Sequence, residues 1–153
     1  MLFRSALRDD AVAHFDWIRM QHPQSRIVLV GRSLGSAMAL HVATRRDVDG
    51  IILISPFTSI RDVAAFHFPW LPVRPLLRHA FDTVPDARRI EVDTLVIAAE
   101  NDSVIPRRFT DAFVRELPTR TKAHIIPGAD HNDLMARAQP WALVRQYLDD
   151  LRR

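Results

Sequence analysis

A serine, an aspartate and a histidine stand in this chain where nucleophilic catalysis would need them. The stretch IVLVGRSLGSAMALHVA, residues 27–43, sets Ser33 between Gly31 and Gly35, where an apolar run gives way to a helical pattern. In G-x-S-x-G the serine sits on a sharp strand-to-helix turn that lifts its hydroxyl clear of the sheet, and side chains two residues to either side are expected to collide. A serine hydroxyl is a weak nucleophile until a base takes its proton, and the base needs an acid to orient it. In an open parallel sheet such groups belong at the carboxyl ends of the strands, whose loops share one rim.

That rule selects the partners. After one strand-like run comes ENDSVIP, offering Glu100 and Asp102; after the next comes GADHNDL, offering Asp130, His131 and Asp133. His131 is the candidate base and Asp102 the preferred acid. Glu100 is the main rival, and Asp130 ranks below it because a residue does not easily orient its neighbour's ring. The order Ser33, Asp102, His131 is that of a nucleophile-elbow hydrolase rather than of either protease arrangement.

The surrounding pattern supplies the scaffold. SALRDDAVAHFDWIRMQHP reads as an amphipathic helix, with Leu7, Ala11, Phe15 and Ile18 at helical spacing and Pro23 at its end. RIVLVG, GIILIS, DTLVIAAE and KAHIIPG read as four strands, the first two apolar on both faces as in a buried parallel sheet. LGSAMALHVATRR, PRRFTDAFVREL and PWALVRQYLDDL read as helices between and after them. Residues 57–90 are less regular: Phe57, Phe66, Phe68, Trp70, Leu71, Leu76, Leu77 and Phe81 are interspersed with prolines that forbid one long helix. Alternating strands and helices give an α/β class with a mostly parallel sheet of about four strands.

Composition narrows the function. The 153 residues are 48% hydrophobic and 25% charged with a net charge of +3, and no basic stripe with interleaved aromatics suggests nucleic-acid binding. There are no cysteines, which excludes disulfides, thiolate metal sites and a cysteine nucleophile. His14 and His22 are expected at the surface, His41 packed or at the surface, and His124 structural in its strand; His67 and His79 fall in the irregular segment, where lining a pocket is the less favoured reading. No histidine pair has metal-ligand spacing and no phosphate-binding glycine fingerprint occurs, so neither metal nor nucleotide cofactor is called for. No run reaches transmembrane length and the start lacks a signal-peptide core, so a cytoplasmic location is the expectation.

VGRSLGSAMALHVA, ISPFTSIRDVA, FPWLPV…FDT, ENDSVIP and PGADHNDL together resemble the α/β-hydrolase fold, and within it the small serine hydrolases that include the protein-depalmitoylase-like enzymes. The resemblance spans nearly the whole chain, read as one partial domain over 1–153. It implies Ser33 as nucleophile, Asp102 as acid, His131 as base, the Leu34 amide as an oxyanion donor, and residues 57–90 as a short cap or pocket-flanking segment. The first helix and those after Ser33 and near 106–117 should then cover one sheet face, the last helix the other.

The strands and the oxyanion loop that the family places before its nucleophile strand have no counterpart ahead of Ala6. RIVLV is therefore expected as a bare sheet edge, open to self-association. Two readings follow: a serine hydrolase cleaving carboxylic esters or thioesters of a small or acylated substrate, or a truncated fragment acting as a complementing half or interaction module.

Overall fold

The structure, a computed structural model, describes residues 2–73, 77, 81–118 and 120–153, with side chains from Ala6 onward. Helix α1 (Leu2–Gln21) leads to strand β1 (Val28–Arg32), α2 (Leu34–Ala43) and β2 (Gly50–Ile54). After the short helices α3 (Ile60–His67) and α4 (Val84–Ala87) come β3 (Thr94–Ala99), α5 (Arg107–Val114) and β4 (Thr121–Ile126). A 3₁₀ turn (Leu134–Ala136) and α6 (Ala138–Leu151) complete the order.

All three strand pairings are parallel, and the strands lie in chain order, β1-β2-β3-β4. Every residue of β2 and β3 is buried, which is why GIILI and TLVIAA carry apolar residues without alternation. On one face Ile51, Leu53 and Val96 pack with Phe15 of α1, Leu40 and Val42 of α2 and Phe113 of α5. On the other, Ile52, Ile54, Leu95, Ile97 and Ile126 meet Leu143, Val144, Tyr147 and Leu148 of α6. The helices take the faces expected of them.

Strand β1 lies at the sheet edge. Its apolar sequence is only half covered, and Val30 remains 63% exposed. The opposite edge strand, β4, is more polar, and its exposed Lys122 pairs with Asp150 of α6 at 2.9 Å. Among the described residues no helix is long and apolar enough to cross a membrane.

The proline-rich stretch holds more regular structure than its sequence suggests. Ser59 caps α3, its hydroxyl accepting from the Arg61 amide at 3.2 Å, and the helix stops at Phe68, just before Pro69. Pro85 falls in the first turn of α4, where its missing N–H costs no hydrogen bond. Phe57, Val63 and Phe81 are buried with Ala37 and Ile105, while Phe66, Phe68, Trp70 and Leu71 face outward. The aromatic stretch is thus part core and part surface. Leu76 and His79 lie outside the described residues.

Tyr147 locks α6 to the sheet. Its hydroxyl donates to the Asp93 carbonyl and accepts from the Ile51 amide at 3.0 Å, and burial pushes its phenol up to about 12. The phenol occupies the space beside Gly50, where a Cβ would overlap the Tyr147 hydroxyl and the Leu151 side chain. Gly50→Ala is accordingly expected to destabilise the fold by about 1–3 kcal/mol through overpacking, read as a lowered urea midpoint at unchanged m-value.

Candidate active site

The site is built at the carboxyl ends of the four strands. Ser33 follows β1 with φ 50 and ψ −119, one of two non-glycine residues with positive φ among the described residues. The left-handed region costs a residue bearing a Cβ on the order of 1–2 kcal/mol, so the packing around the turn must impose it. The Ser33 amide donates to the Ile54 carbonyl at 2.8 Å, and Ser36 Oγ donates to the Gly31 carbonyl at 3.1 Å, pinning the first turn of α2 on β1. At Gly31 a Cβ would press into the backbone of Gly35 and Ser36, so glycine is required there.

Gly35 departs from expectation. A Cβ there would meet nothing within 4 Å, so its neighbours in this chain place no steric demand on it. The Leu34 amide stands in the first turn of α2, where a helix leaves its N–H groups without intrahelical partners. Ser33 caps nothing, and among the described residues its hydroxyl makes no hydrogen bond.

On the loops after β3 and β4 the structure joins His131 to Asp102. The ring Nδ1 lies 3.0 and 2.9 Å from the two carboxylate oxygens, with both residues buried. With Nδ1–H donated to the carboxylate, Nε2 is the nitrogen left to accept a proton. The acid is itself held: Oδ1 accepts from the amides of Val104 (3.0 Å) and Ile105 (2.6 Å), and Oδ2 from the Ser55 hydroxyl (2.8 Å). Burial alone would raise the Asp102 carboxyl, but the hydrogen bonds from His131, Ile105 and Ser55 outweigh it and hold it below the ordinary value of 3.8.

The rival carboxylates are engaged elsewhere. Glu100 accepts from the Gly128 amide at 2.9 Å, and Asp130 accepts from the amide and hydroxyl of Ser103 at 2.6 and 3.0 Å. Asp133 takes the Asp130 amide and pairs with Arg137 at 2.7 Å. These groups brace the histidine loop without touching its ring.

Two contributors escaped the sequence reading. Arg32 donates to the His131 carbonyl at 2.6 Å, tying the residue before Ser33 to the histidine loop. Ser55, at the end of β2, is the second positive-φ residue (φ 48) and reaches Asp102. The only available signal for either was position: each lies at a strand's carboxyl end.

Of the other described histidines, none bonds Asp102 or His131. His14 and His22 are exposed, and His124 is half-buried in β4. His67 donates from Nε2 to the Val104 carbonyl at 2.9 Å. His41 is buried 3.6 Å from Asp86, with burial and then the Arg45 charge lowering its basicity.

Residues 6–150 match the profile of a family described as Serine hydrolase. The protein Rv2307c of Mycobacterium tuberculosis is 34% identical over 129 residues, covering 83% of this chain and 46% of the relative. Lysophosphatidylserine lipase ABHD12 of Bos taurus is 30% identical over 115 residues, covering 63% of this chain and 29% of the lipase. Among solved structures, acetyl xylan esterase 1 from Thermoanaerobacterium sp. superposes with a TM-score of 0.74 at 21% identity, over 99% of this chain and 54% of that one. The chain therefore spans less than half the length of these two curated relatives, and the fold it shares with the esterase is the α/β-hydrolase fold.

The lowered Asp102 carboxyl ties stability to pH. Because the native state binds this proton more weakly than the unfolded chain, the contribution is complete above the unfolded value and lost as pH falls through the lower native one. The stability advantage of the wild type over Asp102→Asn, measured by urea unfolding, should thus shrink between pH 5 and about pH 3. A gap that stays constant over that range would show that the carboxylate charge contributes nothing.

Proposed function

Because this chain belongs to the serine hydrolase family, we propose that it cleaves carboxylic esters or thioesters through an acyl-enzyme, with Ser33 as nucleophile, His131 as base and Asp102 as orienting acid. The observation that carries this reading is the buried His131–Asp102 pair on the rim where the strained turn presents a Ser33 hydroxyl unspent on capping. Nε2 of His131 takes the Ser33 proton as Oγ attacks the acyl carbon, and the carbonyl π electrons move onto oxygen. The Leu34 amide donates to that oxyanion. When the carbonyl reforms, the alcohol or thiol leaves with the proton from Nε2. Water, deprotonated by the same nitrogen, then attacks acyl-Ser33 and releases the acid, returning the proton to Ser33.

Two of the similar proteins bear the names lysophosphatidylserine lipase and acetyl xylan esterase, which supports an ester as the bond cleaved. In this reading residues 57–90 flank the acyl group as a short cap over one domain, and the outward Phe66, Phe68 and Trp70 favour an apolar acyl chain.

The uncovered edge of β1 favours a second reading, in which the chain works paired along that edge with a second copy or a complementing polypeptide. Intact-mass labelling with a fluorophosphonate separates the two. The first reading expects one adduct per chain, lost in Ser33→Ala. Folded protein that takes up no adduct would sink catalysis by the isolated chain and leave the second reading standing.

A further inference from the structure

Among the described residues only two non-glycine residues have positive φ, and both are serines on neighbouring steps of one rim: Ser33 follows β1 and Ser55 follows β2, with Arg32 and Ile54 paired in register just before them. The strain at Ser33 has its explanation in the turn. Ser55 is 1% exposed, its amide donates to the Ile97 carbonyl at 2.9 Å, and its hydroxyl is directed at Asp102 Oδ2. Were the position only a turn, glycine would adopt φ 48 without cost. The side chain that bears the strain is the one that reaches the acid.

The carboxylate shows why that contact matters. Both backbone donors, from Val104 and Ile105, act on Oδ1. A carboxylate held at one oxygen still swings about its Cβ–Cγ bond. Apart from the His131 ring, Oδ2 has a single donor among the described residues, and that donor is Ser55. With both oxygens held, the carboxylate plane is set, and with it the direction from which Nδ1–H of His131 is received.

We infer that Ser55 is a positioning residue of the site, its hydroxyl fixing the plane of the Asp102 carboxylate whose two oxygens face Nδ1 of the His131 ring. The inference rests on the proposed roles of Asp102 and His131. The charged and titratable groups around the carboxylate are few. His131 bonds it, Asp130 faces Ser103 on the adjoining loop, and Arg32 reaches the His131 carbonyl.

The test compares Ser55→Ala, which keeps the strained Cβ, with Ser55→Gly, which relieves it; both delete the hydroxyl. The rate constant for fluorophosphonate labelling is expected to fall about tenfold or more in both variants, as for loss of a hydrogen bond to a charged group. The glycine variant should nonetheless unfold at higher urea than the alanine variant. Labelling rates that follow stability instead of the hydroxyl would overturn the inference.

A second readout needs no activity. In the ¹³C-carboxyl spectrum, Asp102 should titrate at higher pH in both variants than in the wild type, because one donor to the ionised form is gone. An unmoved midpoint would overturn the inference. If the wild type takes up no label, the proposed function fails while the carboxyl titration still decides the role of Ser55.

Discussion

The rim of this molecule is organised around one buried carboxylate. Asp102 receives a hydroxyl from the end of β2, two amides from its own loop after β3, and an imidazole from the loop after β4. An ionised carboxylate taken out of water is costly unless its lone pairs are filled, and here four donors fill them. Three loops with little regular structure are thereby held in register with the strands that launch them. The histidine loop is braced further by Asp130 on Ser103 and by Arg137, which donates to the carbonyls of Pro127 and Gly128.

The nucleophile side follows a different logic, steric where the acid side is electrostatic. Gly31 lets the first turn of α2 settle on the backbone of β1, and that contact drives Ser33 into the left-handed region. The strain is sustained by the sheet beneath it, where β2 and β3 are buried along their whole length between two apolar layers. Arg32 bridges the two sides, running from the turn to the His131 carbonyl.

Much of this was legible in the residues. Four apolar runs, each closed by glycine, proline or a polar cluster, announced the strands, and the rule that parallel sheets act at their carboxyl ends chose His131 and preferred Asp102 over Glu100. Glu100 proves to serve the Gly128 turn. What escaped had physical reasons. Ser55 reads as an ordinary strand-end residue before a proline, because positive φ at a serine leaves no mark in composition. Helix α3 was hidden by the prolines that bracket it, and the steric role given to Gly35 depends on neighbours that the motif alone does not specify.

The strand order has a consequence for how the chain assembles. Each strand pairs only with its sequence neighbour, and the spans closing β1 on β2 and β3 on β4 are shorter than the one closing β2 on β3. Loop-closure entropy grows with the length closed, so two local units, β1–α2–β2 and β3–α5–β4, form at lower entropic cost than the seam between them. Ser33 and Ser55 belong to the first unit, Asp102 and His131 to the second. A chain with both units folded but the seam still open would hold every one of these side chains and no assembled site.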